Sequence, residues 1–526
     1  MECVDAAVDA EIRRYVEQPF GVFAQLFELQ ARRHPAKAAL ICGDAEISYR
    51  QLDDRANRIA SGLQRDGVGR GSVVVICGAS SITYVAVFLA VLKTGAAVSP
   101  LSPAATADQL LTMLRDSGAS HLFVDRLGND ALDTVAHHAT ARRIAMDDRT
   151  DAEPLEPYLP PADSRPAPVT IVPEQAFDII YSSGTTGTPK GVVQSHAMRW
   201  PQLHLVDPPG YGPEAVALIS TPLYSNTTLV SLLPALAGGG TVVLMPRFDA
   251  RHFLELSERH RVTVAMLVPV QYRRILDVPD FERFDLSSYV LKYATSAPFA
   301  AGLKAEVLAR WPGGLIEYYG TTEGGGTCML VAHEHPDKLH TVGQPIEGHE
   351  MLVIDELGAV LPAGDVGEVV GRSSAMMTGY YNAPDKSAEA EWYSAEGLRY
   401  IRTGDVGQID AEGFFTLTGR KKDVIISGGL NIYPVDLEAT LSRHPCVREA
   451  AVVGAPSARW GETPVGFVTL IDGVDVSELA LKDWANARLG KMQRLADVRI
   501  VTELPRSAIG KILKRELQQL SLGPLD

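Results

Sequence analysis

The residues from 181 to 191 are mostly small or hydroxylated, and they end on a cation: Tyr181-Ser-Ser-Gly-Thr-Thr-Gly-Thr-Pro-Lys-Gly191. Glycine lets backbone approach a phosphate closely, hydroxyls donate hydrogen bonds to its oxygens, and a lysine supplies charge. The competing reading is a flexible surface loop. A linker, however, has no reason to end on Pro189-Lys190-Gly191 after the strand-like run Phe177–Ile180. A Walker A loop needs Gly-Lys-Ser/Thr, and here Pro189 and Gly191 flank Lys190, which excludes it. The chemistry is phosphate binding of another kind.

Strands and helices must alternate to hold such a loop. Ser48 with Gln51 reads as a capping box, followed by Leu52, Ala56, Ile59, Ala60 and Leu63 at helical spacing. Short β-branched runs recur at Val73–Ile76, Phe177–Ile180, Thr241–Leu244, Val262–Val268 and Met351–Ile354. Helix-like segments separate many of them, so the fold class expected is α/β with buried sheets. The proline-dense stretch Pro154–Pro168 reads as a surface connection.

At 526 residues the chain needs two or more domains. Hydrophobic residues make up 46% and charged residues 21%, which rules out a mostly disordered chain. The net charge of −15 argues against a nucleic-acid partner. It does not bear on a nucleotide in a pocket, because remote carboxylates are screened within about 8–10 Å. From Asp423 onward, twelve basic residues face thirteen acidic ones, so this tail is near neutral. Cys3, Cys42, Cys77, Cys328 and Cys446 are scattered and have no CxxC spacing, which suggests reduced thiols. Acidic residues crowd the N-terminus, and the apolar stretch Tyr84–Leu92 stops at Lys93, far short of a membrane span. A cytoplasmic location is expected.

The phosphate loop resembles the signature of the adenylate-forming superfamily, which holds acyl-CoA synthetases, nonribosomal-peptide adenylation domains and firefly luciferases. The superfamily's other motifs follow in order. Tyr319-Gly-Thr-Thr-Glu323 matches the nucleotide and magnesium motif, and Thr403-Gly-Asp405 the ribose motif. Gly419-Arg-Lys-Lys-Asp423, running into Ser427–Pro434, matches the hinge, and Pro505–Lys511 the C-terminal lysine motif. The resemblance covers nearly the whole chain. It implies a large α/β N-terminal domain of several subdomains, residues 1–421, which binds ATP and the carboxylate. It further implies a small mobile α+β domain, residues 422–526, which carries the catalytic lysine.

The resemblance also implies roles. Ser182, Ser183, Gly184, Thr185, Thr186, Gly187 and Lys190 would hold ATP or AMP, with Ser296-Ala297-Pro298, Tyr319, Gly320, Thr321 and Thr322. Tyr319 would offer a face to adenine and Thr322 would bond the α-phosphate. Glu323, a hard oxygen ligand, would hold Mg2+. Asp405 would accept from the ribose hydroxyls with Arg420 as second contact, and Lys422 marks the hinge. Lys511 would orient carboxylate and α-phosphate and stabilise the charge between them. It is expected to be catalytic with Glu323 and Thr322, although Lys511, Lys514 and Arg515 also read as the solvated face of a terminal helix.

The expected reaction joins a carboxylic acid to AMP and then to a thiol. The partners would be a small carboxylic acid, ATP and coenzyme A, with a homodimer left open. A free-standing chain with no carrier domain favours CoA, and loading of a carrier-protein phosphopantetheine is the alternative. Gly428 and Gly429 would line the pantetheine tunnel, and Trp460 and Arg494 would meet CoA. Many family members have Tyr-Lys-Val-Pro where this chain reads Met492-Gln-Arg-Leu495, which loses a lysine. The acid pocket departs further: Pro222-Leu223-Tyr224 is followed by Ser225 and Asn226 where a histidine is usual. Tyr224, Ser225, Asn226, Thr295, Gly324 and Thr327 suggest a polar pocket, suited to an aryl or small-to-medium acid rather than a long fatty chain.

Overall fold

A computed structural model describes residues 2–133, 141–182, 189–203, 210–427, 430–457, 459–490, 493–507 and 510–521. The fold is mixed α/β. An eight-stranded sheet runs Gly379–Tyr380, Lys190–Ser195, Ala176–Ser182, Ala97–Leu101, Val73–Cys77, His121–Val124, Arg142–Ala145 and Glu153–Pro154. It is parallel from Ala176–Ser182 through Glu153–Pro154 and antiparallel at the Lys190 edge. A nine-stranded sheet has the parallel strands Val264–Leu267, Leu291–Ala294 and Gly314–Tyr319 near its middle.

The two sheets share one core. The helix Ile82–Thr94 is apolar all round, and Tyr84 through Thr94 are all buried. It packs with Val74, Val98 and Phe177 of one sheet and with Ala217, Val242 and Val264 of the other. The helix Tyr49–Arg65 begins on the expected capping box, with the Ser48 side chain accepting from Gln51 N and the Gln51 side chain from Ser48 N. The expected strands are present with shifts of one or two residues at their ends, and Thr241–Leu244 coincides with its expected range. The proline-dense stretch is not purely a surface connection. It opens with the short helix Leu155–Tyr158, whose Leu155 and Tyr158 are buried.

Two further five-stranded sheets follow. One is made of the strands Glu350–Ile354, Gly367–Arg372, Glu391–Tyr393, Arg399–Ile409 and Phe415–Arg420. The other begins at Ile425 and includes the long antiparallel pair Val447–Ser457 and Gly461–Leu470. Its Ile425, Val452 and Val468 form a separate core with Leu437 of the helix Pro434–Leu441 and Leu481 of the helix Glu478–Asn486. Among the described residues no helix is long and apolar enough to cross a membrane.

Candidate active site

The phosphate loop joins two antiparallel strands, and Ser182 pairs with Lys190 at its mouth. Ser183, Gly184, Thr185, Thr186 and Gly187 lie outside the described residues. The base of the loop is tightly built. A Cβ on Gly191 would come within 2.8 Å of Ile179 Cγ2 and 3.2 Å of Tyr381 Cβ. Tyr181 donates to Asp116 Oδ2 at 2.6 Å, and Lys190 Nζ stands 4.8 Å from the ring centroid of Tyr380.

The second motif leaves the strand Gly314–Tyr319 as a turn. Gly324 N donates to Thr321 O at 3.0 Å, and Thr321 Oγ1 donates to Gly324 O at 3.1 Å. Gly324 has φ +73, and a Cβ there would lie 2.0 Å from Ala375 O, so only glycine fits. Two strangers to the motif hold the turn from below. Gln194 Nε2 donates to Thr322 O at 2.6 Å, and Met377 N donates to Glu323 O at 2.8 Å. Tyr380 then donates its hydroxyl to Glu323 Oε1 at 2.8 Å. Burial and the adjoining Glu323 carboxylate both push the Tyr380 phenol far up, so it stays a donor.

Asp405 and Arg420 occupy paired positions on adjacent antiparallel strands. Arg420 Nε lies 2.9 Å from Asp405 Oδ1, and Tyr319 donates to Asp405 Oδ2 at 2.9 Å. Asp405 is 7% exposed, and these two partners hold its buried carboxylate. The ring of Tyr319 is itself buried, packed with Cys328, Met351, Val369 and Phe415. Ser296, just past the strand Leu291–Ala294, has φ +77, a strained value for a side-chain-bearing residue. Its hydroxyl bonds Thr227 Oγ1, which ties Ser296-Ala297-Pro298 to the helix Asn226–Ala237.

Lys511 joins these groups from the other side. Its side chain reaches solvent, yet much of the protein lies close around it. That crowding and the nearby Arg420 hold its ammonium below the ordinary lysine value, against the opposing pull of Asp405 and Glu323. Its loop is stiffened locally: Lys511 N donates to Ser507 Oγ at 3.2 Å and Ser507 N to Lys511 O at 2.8 Å. Gly510, at φ +76, sits so close to the N-terminal part that a Cβ would meet Val270 Cγ1 at 2.7 Å. The reading of Lys511 as the solvated face of a terminal helix does not hold, because that helix is Lys514–Leu520 and Lys511 precedes it.

The expected acid-pocket residues come from three segments. Tyr224 and Ser225 precede and Asn226 begins the helix Asn226–Ala237, Thr295 directly follows the strand Leu291–Ala294, and Gly324 and Thr327 lie in the loop after Tyr319. Asn226 Oδ1 is buried without a hydrogen-bond partner among the described residues. Thr327 Oγ1 borders Gly320, 3.4 Å from where its Cβ would be. Trp460 is 42% exposed, with the Arg459 guanidinium 4.8 Å from its ring centroid. Arg494 is exposed, Lys422 lies in the short turn Lys421–Asp423, and Gly428 and Gly429 lie outside the described residues.

Sequence reasoning passed over Tyr380 and Gln194. Gln194 could have been found as the amide that directly follows the valine pair Val192-Val193 in its strand. Tyr380 offers only the run Gly379-Tyr380-Tyr381-Asn382, with no spacing that points to Glu323.

Comparison with known proteins agrees with this geometry. Residues 27–381 match the model of the AMP-binding enzyme family, and residues 436–511 match that of the AMP-binding enzyme C-terminal domain. The chain is 31% identical to a fatty acid–[acyl-carrier-protein] ligase of Streptomyces coeruleorubidus, over 95% of this chain and 96% of that one. It is 32% identical to a feruloyl-CoA synthase of an Amycolatopsis species, over 93% and 97%. The ATP-bound MatB of Rhodopseudomonas palustris superposes with a TM-score of 0.83 at 28% identity, covering 94% of this chain and 98% of that one. The chain belongs to the AMP-binding enzyme family, as its ordered motifs implied.

Proposed function

We propose that this protein is an AMP-forming carboxylic acid:CoA ligase, and that its acid is an aryl or small-to-medium one. The acid carboxylate attacks the α-phosphorus of ATP, pyrophosphate leaves, and an acyl-adenylate forms. The CoA thiol then attacks the acyl carbonyl and AMP leaves. The observation that carries this reading is that Asp405, Arg420 and Glu323 all lie within electrostatic reach of Lys511, with the phosphate-loop lysine Lys190 joined to Glu323 through Tyr380.

Asp405 and Arg420 are the ribose contacts in this reading. The Asp405 carboxylate has lone pairs to spare beyond Tyr319 and Arg420. Lys511 orients the acid carboxylate against the α-phosphate. Among the described residues no three His, Cys, Asp or Glu side chains converge as a metal cage. That suits Mg2+, which typically rides on nucleotide phosphates with one or two carboxylates and keeps several waters. Glu323 would hold it, and the ion when bound would offset phosphate charge.

The second half-reaction needs a different placement of the small domain, with the hinge at Lys422 and Trp460 turned toward CoA. The feruloyl-CoA synthase and indoleacetate–CoA ligase among the relatives support an aryl acid and CoA. The free buried thiols of Cys77 and Cys328 support a reducing, cytoplasmic setting. The relative named as an acyl-carrier-protein ligase favours a second reading, in which the acyl group goes to a carrier-protein phosphopantetheine.

The test is pyrophosphate release across aryl, short-chain and medium-chain acids, with CoA, with a phosphopantetheinylated carrier protein, and with neither. CoA-dependent acyl-thioester formation on an aryl or short acid is the expected result. Turnover only with the carrier protein replaces the acceptor, and no pyrophosphate release with any acid removes the reading.

A further inference from the structure

Tyr380 touches both charged side chains on which phosphate handling depends. Its hydroxyl donates to Glu323 Oε1 at 2.8 Å, and Lys190 Nζ stands 4.8 Å from the centroid of its ring. Its own backbone is firmly placed. The short strand Gly379–Tyr380 adds to the edge of the eight-stranded sheet with Tyr380 opposite Val192. Tyr380 N donates to Ser387 Oγ at 2.8 Å, and Tyr381 N donates to Gly191 O at 2.7 Å. The same segment holds the main chain of Glu323 through Met377 N.

These contacts have a directional consequence. A carboxylate has two oxygens that free rotation would exchange. With Oε1 tied to a phenol that is itself fixed, rotation costs that hydrogen bond and Oε2 is the oxygen presented outward. A lysine above a tyrosine face is likewise held by electrostatic attraction to the ring without losing its charge. One side chain therefore sets the pose of an anion and of a cation from two different segments.

We propose that Tyr380 is a positioning residue for the nucleotide and its metal. Its hydroxyl aims the Glu323 carboxylate at a divalent cation, and its ring holds Lys190 beside the phosphate loop. This rests on the roles given to Glu323 and Lys190 above. The two functions separate by substitution, because Tyr380→Phe removes the hydroxyl and keeps the ring, whereas Tyr380→Leu removes both.

The test is a titration of the full-length protein with Mn2+ in the presence of an ATP analogue that cannot be cleaved between α- and β-phosphorus. Free Mn2+ is read by electron paramagnetic resonance. Neither acid nor CoA is needed, so a failure here is separate from a failure of the ligase reading. Tyr380→Phe should raise the half-saturating Mn2+ concentration about tenfold or more, as loss of a group that orients a metal ligand does. Metal-free AMP should bind the Phe variant within about twofold of the wild type, and bind the Leu variant more weakly, because only the latter loses the lysine contact.

Wild-type Mn2+ affinity in the Phe variant overturns the proposal whatever its turnover. Equal losses of AMP binding in the Phe and Leu variants also overturn it, since they mark a general loosening of the segment. Glu323→Gln provides a second measurement. Mn2+ affinity should be the same in Glu323→Gln alone and combined with Tyr380→Phe, because the hydroxyl acts only through that carboxylate. A further loss in the double variant sinks the assignment.

Discussion

Asp405 and Arg420 are cross-strand partners, and their side chains meet at 2.9 Å. The strand register therefore brings together, before any ligand arrives, the two groups proposed to hold the ribose. Asp405 also accepts from Tyr319, which links the ribose motif to the nucleotide motif. Asp405→Asn keeps the shape and removes the charge. Hydrogen bonds to charged groups contribute about 1.5–3 kcal/mol each, so KM for ATP should rise about 10- to 100-fold with KM for the acid little changed. Tyr319→Phe removes one bond to the same carboxylate and should raise KM for ATP by less than tenfold. Steady-state kinetics with ATP varied at saturating acid checks both. Equal KM values for the wild type and Asp405→Asn would take Asp405 out of the nucleotide site.

Gly510 lets the lysine loop seat against the N-terminal part. A Cβ at Gly510 would lie 2.7 Å from Val270 Cγ1 and 3.3 Å from Val268 Cγ2. Gly510→Ala should slow adenylate formation about tenfold and spare thioester formation from supplied acyl-adenylate, which in the proposed mechanism does not use this docking. Two costs combine, the clash and a φ of +76 that costs an L-residue about 1–2 kcal/mol. Val270→Ala in the same chain relieves the clash alone, so the double variant should recover part of the lost rate. No recovery would mean that backbone strain accounts for the whole effect.

Lys511 supplies a pH signature. Its pKa is lowered by its crowded surroundings and then by Arg420, so the ammonium is charged below that lowered value and neutral above it. If the charge is needed, the rate of adenylate formation should fall on the alkaline side starting below the ordinary lysine value of about 10.4. Lys511→Arg stays charged throughout and should lack that limb at whatever rate it retains. Lys511→Ala should lose about 10²–10³-fold in adenylate formation, with thioester formation largely spared. Similar losses in both half-reactions would sink a role specific to the first step.

The motifs were legible because phosphate, ribose and carboxylate chemistry restrict residue types to short, ordered runs. The strand Thr241–Leu244 and the Ser48 cap were legible because β-branching and capping are local properties. Tyr380 and Gln194 were not, because their roles arise from pairing across a sheet edge and a strand, with partners 57 and 128 positions away. Pro154–Pro168 misled in part because proline content says nothing about burial. Tyr158 is 1% exposed there, and its ring packs against Phe123.

Asp178 makes the same point with a measurable consequence. It lies inside the apolar run Phe177–Ile180, on the strand that leads into the phosphate loop, and it is fully buried. Arg199 Nη2 reaches its Oδ2 at 2.6 Å from the helix His196–Leu203, with the arginine side chain 1% exposed. Burial of the carboxylate pushes its pKa up, although Arg199 pulls the other way. Among the described residues Asp178 Oδ1 and Arg199 Nε have no hydrogen-bond partner, so the pair repays its desolvation incompletely. Asp178→Ala would strand a buried guanidinium and should destabilise the fold by about 3–5 kcal/mol. Asp178→Leu with Arg199→Met removes both charges and should recover most of that loss, because an apolar pair of similar volume avoids the desolvation. Thermal or urea unfolding of the three variants reads the difference. A double variant no more stable than Asp178→Ala would mean that the ion pair itself is what holds the helix to the sheet.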